Sequence, residues 1–152
     1  MKNIILGSDH AGFNLKEYLK KVLIKDGFEV DDVGTHSKER CDYPIIAGRL
    51  AGTVSRSDSE RGILICKSGI GNSIVANRFP GVRAALCASA RAARLSREHN
   101  DSNVLVLGSS FVSRKGAVNI VRCWLRTEFA GGRHQRRLNQ IKMIEKQILR
   151  GK

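Results

Sequence analysis

A chain of 152 residues that is 41% hydrophobic has enough material for one domain with a full core, and it excludes a disordered chain. No apolar run approaches the ~20 residues needed to cross a bilayer, and the start MKNIILGSDH turns polar too soon for a secretory signal, so a cytoplasmic protein with no membrane partner is expected. The formal charge of +13, from 27 Lys and Arg against 14 Asp and Glu, favours an anionic partner, either nucleic acid or a phosphorylated small molecule, while 5% aromatic residues leave little for base stacking.

In chain order, NIILG (3–7) reads as a strand. Next, FNLKEYLKKVLIKDG sets Leu15, Tyr18, Leu19, Val22 and Leu23 on one helical stripe, with Gly27 as a left-handed cap. FEVDDV (28–33) is a second strand, and Pro44 opens a helix reaching about Ser55. GILIC (62–66), VRAALC (82–87) and NVLVLG (103–108) are further strands, with helices expected near 71–78, 89–98 and 113–126. A last helix near 134–149 carries Leu138, Ile141, Ile144 and Ile148 among charges, and is expected to pack on the body or on a second subunit. Near-continuous apolar strands alternating with helices imply an α/β fold: a Rossmann-like, doubly wound, five-stranded parallel sheet covered on both faces, in a single domain over 1–152.

Ligands of such sheets lie beyond the carboxyl ends of the strands. The loop Gly7–Gly12 has P-loop glycine spacing but Phe13 and Asn14 where Lys and Ser/Thr are required, so it holds no triphosphate. It does place Asp9 beside His10. In CKSGIGNS (66–73), Gly69 and Gly71 begin a dinucleotide fingerprint that fails at Ile74. The segment still suits an anion, because successive amides at a helix start present N–H groups and the positive end of the dipole. Those amides are expected to lower the pKa of Cys66, making it an activated base or nucleophile, with Ser68 and the 69–72 amides as an oxyanion cradle. Neither Cys41, Cys66, Cys87 nor Cys123 forms a C-x-x-C pair, which argues against zinc and redox dithiols. His99 and Asn100 stand where a helix meets the last strand, and Arg133 and Arg137, four apart beside His134 and Arg136, suit a phosphate dianion.

The set GSDHAGF, GT followed by DYP, CKSGIGNSIVANRFPGVRAALC, SREHNDSNVLVLG and EFAGGRHQRR closely resembles the type B ribose-5-phosphate isomerases, a class grouped with allose- and galactose-6-phosphate isomerases. The resemblance implies aldose–ketose interconversion through a cis-enediolate, without metal or other cofactor, in a homodimer or dimer of dimers. It implies Cys66 as the base moving a proton between C2 and C1, Ser68 at the enediolate, and Gly69, Ile70, Gly71 and Asn72 as an anion-hole backbone. His99 would open the sugar ring with Asp9 as helper, His10, Arg133 and Arg137 would hold phosphate, and Tyr43 and Asn100 would touch the sugar. It further implies a site shared between subunits, with His99 and Asn100 facing the other chain's cysteine loop.

Two positions depart from that pattern. Lys67 stands where Gly is usual, adding a cation beside the thiol, and Ser110 stands where a phosphate-binding Arg is frequent, with Arg114 one helical turn further on. The alternatives are a hexose-6-phosphate isomerase of the same group and a basic nucleic-acid-binding module. The module would account for the charge but not for Cys66, Ser68, His99 and Asp9 all at strand ends.

Overall fold

The computed structural model describes residues 3–57 and 60–151. Five strands, β1 (Asn3–Ser8), β2 (Glu29–Gly34), β3 (Arg61–Cys66), β4 (Ala84–Leu86) and β5 (Val104–Gly108), pair in parallel in the order β2-β1-β3-β5-β4. The connecting helices are α1 (Phe13–Lys25), α2 (Tyr43–Ser55), α3 (Ile70–Ala76), α4 (Ala90–Asn100) and α5 (Arg114–Arg126), and α6 (Arg133–Arg150) follows the last of them.

The strands are apolar throughout because each face meets its own layer. Ile4, Leu6, Ile63, Ile65, Leu105 and Leu107 point to one side, where α1, α4 and α5 bring Leu15, Leu19, Leu23, Ala93, Ala117 and Trp124. The alternate residues Ile5, Leu64, Val104 and Val106 point to the other, against Ala47, Leu50, Ala51 and Val54 of α2 and Ala76 of α3. These are the two covered faces that the sequence implies.

In α1, Leu15, Leu19 and Leu23 are buried as the stripe predicts, whereas Tyr18 lies at its edge, 36% exposed. The helix ends in a Schellman motif: Gly27 has φ 89°, its N–H donates to the Ile24 carbonyl at 3.1 Å, and the Phe28 N–H donates to that of Leu23 at 3.0 Å. Lys16 was not part of the stripe, yet it is fully buried, with Nζ 2.5 Å from an Asp32 oxygen. At the sheet edge, β4 is shorter than the expected 82–87. The Arg83 N–H donates to the Asn103 side chain at 2.8 Å instead of joining a strand ladder. Of the apolar residues on α6, only Leu138 is buried; Ile141, Ile144 and Ile148 are about half exposed, so they find no cover in this chain.

Candidate active site

Strand order reverses between β1 and β3, both of which start a crossover at their carboxyl ends. Ser8 pairs with Ile65, so Asp9 and Cys66 leave the sheet side by side. A cleft of about 430 Å³ opens above them, lined by Asp9, Tyr43, Cys66, Lys67, Ser68, Ile70, Gly71 and Ile74. The β5 loop clamps its floor: the Ser109 N–H donates to the Cys66 carbonyl at 2.8 Å, and its hydroxyl donates to the Ala11 carbonyl at 3.1 Å.

The turn after Cys66 needs its glycines for two separate reasons. Gly69 adopts φ 80°, which lets its N–H turn back to the Cys66 sulfur at 3.1 Å. A Cβ on Gly71 would overlap the Tyr43 ring, so glycine at 71 lets that ring pack against α3. Ser68 accepts the Ile70 N–H at 3.2 Å.

The electrostatics of Cys66 correct the sequence reading. Burial pushes the thiol above its ordinary value; the amides of Gly69, Asn72 and Ser68 oppose this, and the nearby charge of Asp9 adds to it. The amide-rich turn does favour thiolate, as expected, but a thiol on a buried residue beside a carboxylate loses more from desolvation than it gains. The amides of Gly69 and Asn72 are directed at the sulfur and that of Ile70 at Ser68, while Gly71 borders the cleft. Asn72 is 1% exposed, so its side chain lies away from solvent.

Asp9 is buried and accepts the Gly12 N–H at 3.0 Å, which fixes it at the start of α1. His10 is anchored to the loop after β2: its Nδ1 lies 3.3 Å from the Cys41 N–H and 3.2 Å from the Cys41 carbonyl. Arg114 stands apart from the cleft, its guanidinium 5.3 Å from the centre of the Tyr18 ring.

The remaining expected residues form a second cluster elsewhere. Helix α4 returns toward the amino ends of the strands, so its last residues, His99 and Asn100, sit by the start of β5. There the Gly62 N–H, at the start of β3, donates to the Asn103 carbonyl at 2.9 Å. Cys66 is four residues further along the same strand, about 13 Å at strand rise. Arg133 and Arg137 are exposed on the first turns of α6, and none of these four residues lines the cleft. His134, noted in the sequence only as one of the basic group, is buried and stacked on His99, with ring centres 4.2 Å apart and planes 13° from parallel. Burial, with the neighbouring His99, Arg133 and Arg137 acting the same way, lowers its pKa from the ordinary histidine value. Ile70 and Ile74, each 54% exposed on α3, are cleft residues that no chemical motif singled out beyond the backbone of Ile70; their i, i+4 apolar spacing was the available signal.

Among the described residues, no helix is long and apolar enough to cross a membrane, and no group of three or more His, Cys, Asp or Glu is placed to hold a metal ion. The chain is 48% identical over 145 residues to ribose-5-phosphate isomerase B of Escherichia coli strain K12, covering 95% of this chain and 97% of that one. Its backbone matches the structure of ribose-5-phosphate isomerase B from Clostridium thermocellum with a TM-score of 0.93 at 48% identity, over 96% of this chain and 99% of the other. The Mycoplasma genitalium enzyme, solved with bound ribulose-5-phosphate, matches with a TM-score of 0.92 at 42% identity, over 95% and 96%. The model of the Ribose/Galactose Isomerase family matches residues 4–141, a span containing both clusters, and the chain belongs to that family.

Proposed function

We propose that the protein interconverts ribose-5-phosphate and ribulose-5-phosphate, with the phosphorylated sugar held in a cleft completed by a second copy of the chain. The observation that carries this reading is Cys66, a proton acceptor at the end of β3 with the Gly69 amide on its sulfur and with Ser68 and Gly71 lining the same opening. Curated relatives and solved structures at 40–48% identity bearing the name ribose-5-phosphate isomerase B support the substrate class.

In this reading the Cys66 thiolate removes the proton from C2 of the open-chain aldose. The C–H electron pair becomes the C1–C2 double bond, and charge moves onto O1 of a cis-enediolate. Returning the proton to C1, and shifting the hydroxyl proton from O2 to O1, gives the ketose. Ser68 and the Gly71 amide face the developing charge, where one lost donor typically costs ~10²–10³ in rate. The amides aimed at the sulfur hold the thiolate once formed, and a positioned base contributes ~10²–10⁴. Asp9 assists ring opening, His10 faces the phosphate, Tyr43 borders the sugar, and Lys67 offers its cation to the phosphate.

His99, Asn100, Arg133 and Arg137 then enter from the second copy: His99 to open the furanose, Asn100 to touch the sugar, and the two arginines to hold phosphate. Two observations support the homodimer. These side chains lie at the far end of β3 from Cys66, and exposed apolar residues both line the cleft (Tyr43, Ile70, Ile74) and stand on α6 (Ile141, Ile144, Ile148). The assembly, its place among cytoplasmic enzymes of pentose phosphate metabolism and the single domain over the whole chain belong to this proposal.

The test is an isomerase assay with ribose-5-phosphate, allose-6-phosphate and galactose-6-phosphate side by side. Turnover confined to the pentose supports the reading; preference for a hexose transfers it to the other branch of the family. Cys66→Ala should abolish turnover, whereas Cys41→Ala, Cys87→Ala and Cys123→Ala should retain it.

A further inference from the structure

At the amino ends of the strands, opposite the cysteine cleft, lies a cavity of about 350 Å³. Its charged lining is Arg61, Arg83, Arg97 and Lys142 against Glu60 and Asp101, an excess of two positive charges among the described residues. The single Asp101 carboxylate serves two of the cations, 2.8 Å from Arg97 and 3.1 Å from Arg83. Arg97 also donates to the Ser102 and Thr127 carbonyls, and Arg83 to those of Gly81, Asn100 and Asp101, so both are locked in place.

Arg61 and Lys142 are different. Arg61 makes one long bond, 3.4 Å to the Leu125 carbonyl, and rests 5.7 Å from the centre of the Trp124 ring. It forms no ion pair among the described residues, and neither does Lys142. Burial and the charge of Arg97 act against the Arg61 cation, and the carboxylates of Asp101 and Glu128 offset them only in part, so its pKa stays below the ordinary arginine value. A guanidinium held beside other cations in a recess, with most of its donors uncommitted, is stabilised by an anion that brings its own oxygens.

We propose that this cavity is an anion site for a small phosphate-bearing molecule, gripped between Arg61 and Lys142. The Arg fork offers paired N–H donors to two phosphate oxygens, and the ammonium adds a point charge. The excess of two charges among the described lining residues matches a phosphate dianion, and the volume, about twelve water molecules' worth, has room for more than the phosphate itself. Arg83 and Arg97 would act through their field, since their donors are already committed. The wall they form is also the turn that carries His99 and Asn100, so an anion here bears on that turn.

Calorimetric titration of the full-length protein with inorganic phosphate at low salt tests the site, comparing the native protein with Arg61→Gln, Lys142→Gln and, as a control for bulk charge, Arg150→Gln. One phosphate per chain should bind at least ~10-fold more weakly in each of the first two variants and unchanged in the third, since a lost charge-assisted bond is worth about 1.5–3 kcal/mol. Phosphate held in the cysteine cleft should be unaffected, which separates this proposal from the isomerase reading. Lys142 is exposed, so its variant reads the site even where Arg61→Gln disturbs folding. Unchanged affinity for every bound phosphate in Lys142→Gln, or an equal loss in Arg150→Gln, overturns the proposal.

Discussion

Ser110 and Lys67 are neighbours across the β3 and β5 loops: the Ser110 N–H donates to the Lys67 carbonyl at 3.0 Å. The two positions at which this chain departs from the pattern it resembles are therefore adjacent. A cation absent from one loop is matched by a cation present on the other, and Lys67 is exposed and borders the cysteine cleft. Arg114, the other candidate to replace the missing contact, is held over Tyr18 instead.

Lys67→Ala should accordingly raise KM by roughly 10-fold or more with kcat nearly unchanged, because the phosphate keeps its charge throughout the reaction and the contact is uniform binding. Ser110→Arg should lower KM for the pentose phosphate, and Arg114→Ala should leave both constants alone. Steady-state kinetics of the three variants check this; a fall in kcat for Lys67→Ala with KM unchanged would give Lys67 a part in the chemistry.

The raised thiol of Cys66 sets a pH dependence. The protonated form dominates at pH 7, where an ordinary thiol is already only a few per cent ionised. Because thiolate is the active form, kcat/KM should rise about tenfold per pH unit through the neutral range and level off only above the ordinary thiol pKa. Asp9→Asn removes the like charge, so the midpoint for alkylation of Cys66 by iodoacetamide should fall even as turnover falls. An alkylation midpoint unmoved or raised in Asp9→Asn would remove Asp9 from the electrostatics of the thiol.

The sheet and its helices were legible because both faces are covered and the apolar runs are uninterrupted, and because local signals such as Gly27 and Pro44 mark helix ends whatever packs around them. The sign of the Cys66 shift was not legible: the amides that lower a thiol pKa are visible as GIGN, but the burial that raises it is a property of the assembled sheet. The division of the candidate site into two clusters was implied by the resemblance, which sets His99 and Asn100 on the other chain from the cysteine loop, and was open to topological reasoning, since the end of a crossover helix lies at the amino edge of the sheet; the residue types alone gave no sign of it. The stacking of His134 on His99 brings together residues 35 positions apart and had no local signature.

Buried Lys16 makes a stability prediction. Burial alone would raise the Asp32 carboxyl, but hydrogen bonds from Lys16, Lys20 and the Gly34 N–H together hold it below the usual carboxylate value of 3.8. A depressed folded-state pKa contributes stability above the unfolded pKa, and that contribution is lost as pH falls through the folded one. Thermal stability should therefore drop below about pH 4, and Asp32→Ala should cost about 3–5 kcal/mol at neutral pH by stranding the Lys16 ammonium. Denaturant unfolding across pH 3–7 checks both; a variant as stable as the native chain at pH 7 would show that Glu17, 2.8 Å from Lys16, suffices as partner.

The most direct measurement for the shared site is complementation between two impaired variants. Cys66→Ala and His99→Asn are purified separately, mixed under conditions that exchange subunits, and assayed with ribose-5-phosphate. If Cys66 of one chain works with His99 of the other, each mixed dimer contains one intact site and one carrying both lesions, so activity should return to roughly a quarter of the native level for random pairing. If a single chain supplied both residues, every site would keep one lesion and the mixture would stay as impaired as its components, which would contradict the account.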